Sequence, residues 1–168
     1  AGTLAALGDR GPKVLEALAR ELDLGPAVPW HTQRDAIVEY GSWLALVAGS
    51  LGKMGQDLTL LAQTEVGEIL ESSGGARGGS STMPHKANPI GSEIMVVAAQ
   101  ATAALLSALH AAALQEHERS THGWPLEWLV VPQMIALTYG GASHAAVVAR
   151  ELTVNAARMR DNLRLDGG

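Results

Sequence analysis

The run PIGSEIMVVAAQATAALLSALHAAAL, from Pro89 to Leu114, decides the fold. Between Ile94 and Leu114 it is apolar on nearly every face, so it reads as the body of one long helix spanning 89–118. A helix that is hydrophobic all round has to be covered all round. A bilayer would cover it, but Gln100, Thr102, Ser107 and His110 interrupt the stretch and alanine dominates it, which favours a protein core and no membrane. A chain of 168 residues in a few long helices has too little surface to cover this one alone, so self-association is expected.

The flanking sequence has the same period. Upstream, Thr32 with Asp35 fits a capping box, and apolar residues recur from Ile37 through Trp43, Val47, Leu51, Met54, Leu58 and Leu61 to Ile69. This predicts a second long helix over 31–71. Gly49, Gly52 and Gly55 are unfavourable inside it unless a neighbouring helix approaches closely there or the helix bends. Downstream, a third helix is predicted over 125–152, bent at Pro132 or at Gly140-Gly141, with a short turn from Asn155 to Leu163. Before all of these, Pro12 to Leu24 reads as a short amphipathic helix with Val14, Leu18 and Leu22 on one stripe and Gly25-Pro26 as its stop. Little of the chain has the alternating β-branched pattern of strands, so the fold class is all-α, a bundle of long helices.

Composition excludes several functions. The net charge of −5 and the absence of a Lys/Arg cluster argue against nucleic acid as a partner. With no cysteine there is no disulfide, thiolate chemistry or cysteine zinc site, and a reducing cytoplasm is the expected compartment. The opening residues lack the charged, hydrophobic and small-residue order of a secretory signal. The six histidines also lack metal-binding spacing: His117-Glu118 begins like a zinc-protease motif, but Thr121 stands four residues on and His122 is one step late. No metal and no cofactor are expected.

The stretch between the first two long helices, 72–88, carries the chemistry. Gly78-Gly79-Ser80-Ser81-Thr82-Met83-Pro84-His85-Lys86-Ala87-Asn88-Pro89 packs hydroxyls, a cation and an amide into one glycine-flanked loop. Gly74 and Gly79 have P-loop spacing, but Ser80 stands where the lysine belongs; within 72–88 no G-x-G-x-x-G, G-x-S-x-G or S-x-x-K occurs. Asn88 before Pro89 reads as a helix N-cap with proline at the first helical position. Lys86 beside free N–H groups at that helix start would form a seat for a carboxylate.

The GSSTMPHKANP string resembles the signature loop of the fumarase/aspartase superfamily, lyases that add or eliminate across a carbon next to a carboxylate. The resemblance implies that Ser80 is the base that removes the proton alpha to a carboxylate, and that Lys86, Ser81 and Asn88 contact the substrate and its aci-carboxylate intermediate. The chemistry agrees, since a preorganised cation and amide donors stabilise charge as it develops. Gln115-Glu116-His117-Glu118-Arg119-Ser120-Thr121-His122-Gly123-Trp124-Pro125-Leu126-Glu127-Trp128, together with Trp30-His31-Thr32-Gln33-Arg34-Asp35, is similar to the carboxymuconate cycloisomerase branch. That branch implies an intramolecular addition on a small polycarboxylate; a C–N lyase of the adenylosuccinate or argininosuccinate type is the alternative, and a bare oligomerisation core the non-enzymatic one.

Arg119 matches a substrate-carboxylate contact of the family, or else a helix-terminal ion pair with Glu116 or Glu118. Gln33, with Arg34, either reaches substrate or caps its helix. His85 reads as a contact residue within the loop, His110 as a core histidine, and Trp124 and Trp128 as packing anchors, while His117, His122 and His144 have no assigned role. The resemblance further implies a homotetramer whose active sites each draw on three subunits. It makes 1–168 a fragment of the central helical domain, with the N- and C-terminal domains absent and activity incomplete alone.

Overall fold

The computed structural model describes residues 3–71 and 88–166. Ser80, Ser81, His85 and Lys86 lie outside the described residues. After a 3₁₀ turn at Ala5–Arg10 come α1 (Gly11–Glu21), α2 (Asp35–Leu61), β1 (Ile69–Leu70), α3 (Ile90–Ala112), α4 (Gly123–Glu151), β2 (Thr153–Val154) and α5 (Ala156–Asp166). The three long helices form the bundle, with α3 in the middle, packed along both α2 and α4.

Helix α4 matches the reading of 125–152 to within two residues, whereas α2 and α3 are shorter than the periodic reading. The second helix stops at Leu61, not near Glu71. A turn at Gln63–Gly67 reverses the chain, Gly67 adopts φ +62, and the Glu68 N–H donates back to the Leu61 carbonyl, satisfying a helix-end acceptor. Ile69 and Leu70 therefore do not continue the helix; they pair antiparallel with Val154 and Thr153. A two-residue ladder is too short to show an alternating pattern, which is why the sequence concealed it. The expected turn over Asn155–Leu163 is instead helix α5, whose start is marked by the Asn155 side chain accepting the Arg158 N–H at 3.1 Å.

The helix starts also differ. Thr32 does not cap α2: its hydroxyl donates to the His117 carbonyl at 2.9 Å, and Arg34 occupies the cap position without a side-chain cap bond. Asn88 does not cap α3 either, since Pro89 takes that position and Ile90 is the first helical residue. At its far end α3 stops at Ala112, short of Glu118, where Gln115 Nε2 donates to the Ala112 carbonyl at 3.1 Å. His117 then turns the chain in the left-handed region at φ 43. Helix α4 runs unbroken through Pro132 and Gly140-Gly141.

The helices meet at small residues. A Cβ at Gly52 would lie 2.4 Å from Ala99 Cβ, and one at Gly55 would lie 2.5 Å from the Ser92 carbonyl oxygen, so close approach to α3 explains both. Gly49 meets nothing within 4 Å and has no such reason within the chain. Leu44, Leu109, Val130 and Met134 form the core cluster, with Ile37, Leu106 and Leu126 against it. Leu109 and Met134 are fully buried, so truncating either to alanine costs about 3 kcal/mol.

Helix α3 is not covered all round within one chain. Met95, Ala98, Thr102, Leu109 and Ala112 face inward, whereas Val97 is 61% exposed and Ala104 also lies outward. Among the described residues it is the one helix long and apolar enough to cross a membrane, yet it packs as the middle member of the bundle. The stripe of α1 is likewise uncovered, with Val14, Leu18 and Leu22 all exposed.

Candidate active site

Two clusters of polar groups sit at opposite ends of α3. At about 1.5 Å per residue, its 23 residues separate them by roughly 34 Å.

At the N-terminal end of α3, the ladder of β1 with β2 delivers Glu71 to the helix start. Its carboxylate accepts the Gly91 N–H at 2.7 Å, the Ser92 N–H at 3.1 Å and the Ser92 hydroxyl at 2.7 Å. The expected anion seat is therefore taken by the protein's own carboxylate, which satisfies two orphan donors and complements the positive end of the helix. Gly91 makes room for it, since a Cβ there would stand 2.7 Å from Glu71 Oε1. Asn88 is half-buried beside this contact. It lines a cavity of about 730 Å³ together with Glu71, Gly91, Ile94, Ser143 and His144. The residues between Glu71 and Asn88 carry Ser80, Ser81 and Lys86.

The other end is organised around a buried ion pair. Arg34 donates to Glu127 through Nε at 2.7 Å and through Nη2 at 2.5 Å, with side-chain exposures of 10% and 6%. The fork geometry is the strong form of this interaction, and it raises the Arg34 pKa while burial opposes the rise. Gln115 Nε2 adds a bond to Glu127 Oε1 at 3.2 Å, and the Arg34 guanidinium also lies over the Trp30 ring at 5.7 Å. Arg34 is thus a structural tie between the start of α2 and the first turn of α4. Gln33 next to it is exposed.

The segment between α3 and α4 carries a second cluster. Glu116 accepts the Thr121 N–H at 2.8 Å and meets His122 Nδ1 at 2.5 Å. The Thr121 amide, then the His122 contact, hold the Glu116 carboxyl well below its usual 4.5, at about 2. Glu116 is therefore occupied by His122, not by Arg119, whose side chain is exposed and makes no ion pair among the described residues. Trp124 packs edge-on against His31 at 4.8 Å and Trp128 at 5.0 Å, an anchor as expected, although Trp128 itself is 62% exposed. His110 is exposed on α3, contrary to the reading of it as a core histidine.

The structure therefore brings Gln33 and Arg119 to one end and Asn88 to the other. Sequence reasoning missed Glu71, the pairing of Glu127 with Arg34 and the pairing of His122 with Glu116. It also left His144 without a place. An acidic residue directly before a glycine-rich stretch was the only signal for Glu71; Arg34 and Glu127 are 93 positions apart and left none. Among the described residues no group of three or more His, Asp or Glu could hold a metal ion.

Long antiparallel helices and a glycine-flanked hydroxyl, cation and amide string are features of the fumarase/aspartase class of proteins. Residues 2–103 match the lyase family, and the chain belongs to it. Within that family, the chain is 52% identical over 99% of its length to 3-carboxy-cis,cis-muconate cycloisomerase of Pseudomonas putida, covering 40% of that protein. The crystal structure of 3-carboxy-cis,cis-muconate lactonizing enzyme from Pseudomonas putida superposes with TM-score 0.86 at 53% identity, over 98% of this chain and 37% of that one. Nitrosuccinate lyase of Streptomyces davaonensis is 43% identical over 95% of the chain and 34% of its own length. The chain thus spans about two fifths of the cycloisomerase it resembles.

Proposed function

We propose that this chain contributes part of the active site of a cofactor-independent cycloisomerase that closes 3-carboxy-cis,cis-muconate to 4-carboxymuconolactone, in the protocatechuate branch of aromatic degradation and in the cytoplasm. The observation that carries this reading is the 52% identity over 99% of the chain. In lactonisation a substrate carboxylate oxygen bonds to an alkene carbon, and the neighbouring carbon, alpha to another carboxylate, takes up a proton. Ser80 is the proposed proton-transfer group, acting as base in the reverse direction. Lys86 and the Asn88 amide stabilise the aci-carboxylate between the two steps, and Ser81, Arg119 and Gln33 hold the substrate carboxylates. The decisive experiment replaces the matching stretch of the Pseudomonas putida relative with this chain and follows loss of the conjugated diene together with lactone formation. Turnover is expected; a folded, assembled chimera that leaves the muconate untouched would reject the reading. The similarity to nitrosuccinate lyase favours a second one, elimination from a substituted succinate, which the same chimera tests with that substrate.

The assembly we infer is a homotetramer with active sites shared between subunits. The number of subunits rests on the resemblance to the superfamily; the uncovered outer face of α3 and the distance between Asn88 and Arg119 within one chain support association and shared sites. Ala104 lies outward, so Ala104→Glu leaves the packing within a chain alone while placing a charge in the intersubunit core. Sedimentation across a dilution series should show dissociation or aggregation of this variant and a stable oligomer without it. A monodisperse wild-type monomer at low concentration would contradict the assembly.

A further inference from the structure

The carboxylate of Glu71 joins two points of the chain that lie on either side of the proposed reacting groups. It leaves the ladder of β1 with β2 and binds the first turn of α3 through three hydrogen bonds, from Gly91 N–H, Ser92 N–H and the Ser92 hydroxyl. On the β side its position is fixed independently: Ile69 pairs with Val154, and the Asn155 N–H donates to the Glu68 carbonyl at 2.8 Å. Helix α5 reinforces this, with Arg158 donating to the carbonyls of Glu65 and Val66, and Asn162 Nδ2 donating to the Val66 carbonyl and to the Glu68 carboxylate. On the α side, Ser92 is fully buried and its backbone carbonyl sits against Gly55 of α2. Glu71 is therefore a rigid strut between two fixed elements. Asn88 stands three positions before Gly91 and shares the cavity with Glu71.

We propose that Glu71 is a positioning residue for the active site: by clamping the first turn of α3 it sets where the Asn88 amide stands relative to the reacting carbon. The inference rests on the cycloisomerase reading. Amide donors lower a barrier only when held where the charge develops, so a loosened helix start weakens the transition state more than the bound substrate. Glu71→Gln keeps the shape of the side chain but turns one acceptor oxygen into a donor facing an N–H group. In the active chimera it should lower kcat about tenfold with KM changed by less than about threefold. Amide exchange at Gly91 and Ser92 should accelerate in parallel. Ser92→Ala removes only the hydroxyl bond and should lower kcat about two- to threefold, without threatening the fold.

An unchanged kcat in folded Glu71→Gln, or in Ser92→Ala should the first variant not fold, would overturn the proposal. So would a loss of turnover that only tracks the fraction of folded protein. Absence of turnover in the unsubstituted chimera would instead sink the cycloisomerase reading itself.

Discussion

At the Arg34 end of the bundle two side chains hold each other, whereas at the Asn88 end one side chain holds a backbone. Arg34 and Glu127 are nearly buried and satisfy one another, so that end depends on both partners being present. Glu71 instead binds the backbone amides of a helix start, and its loss frees those donors without stranding a buried charge. The first arrangement is chiefly a fastening of the fold. The second steadies a group proposed to take part in the reaction.

The separation of the two ends gives the largest expected effect. In the active chimera, Ser80→Ala should lower turnover at least about a hundredfold and Arg119→Ala about tenfold or more. If the ends serve one site from different subunits, co-assembling the two variants should restore activity well above either alone. No recovery on mixing, with subunit exchange shown by mass spectrometry, would mean that each chain brings its own two ends together.

A stability comparison sharpens the contrast. Arg34→Met leaves Glu127 buried without its cation and should cost about 3 kcal/mol or more, while Glu71→Gln should cost about 1 kcal/mol. Urea unfolding of the assembled protein measures both, and Arg34→Met combined with Glu127→Leu should recover much of the larger loss. Equal costs at the two ends would erase the distinction.

The smallest effect is a local acid transition. Because the Glu116 carboxyl is depressed to about 2 in the folded chain, its contribution is complete above the usual 4.5 and is lost as pH falls from there toward 2. Protection of the Thr121 amide should fade over that window while the exchange-protected core of α3 persists. Protection that is flat through the window would separate Glu116 from the order of this segment.

The sequence displayed the long helices because 3.6-residue periodicity is repeated many times in each, and Gly52 and Gly55 announced a close neighbour by their cost alone. It concealed the ends of those helices. Thr32 and Asn88 carry good capping chemistry, but a carbonyl 85 positions away claims the Thr32 hydroxyl, and Glu71 supplies the start of α3 in place of Asn88. The candidate site was legible as a string of groups around Ser80. That Asn88 stands at one end of α3 and Gln33 and Arg119 at the other was not, since this separation follows from the length of α3 and the reversals beyond it, and not from residue type.

The turn at His117 has a consequence for how the chain folds. Helices α3 and α4 are joined by the short connection 113–122, whereas α2 reaches α3 through the much longer 62–89. Closing a short loop costs less chain entropy, so the α3–α4 hairpin should form early, with Leu109 against Val130 and Met134 as its nucleus. Substitutions at Val130 should then slow folding, while those at Gly52 should chiefly speed unfolding. Helix α2, and with it Glu71, would reach its place only after the rest of the bundle has paired.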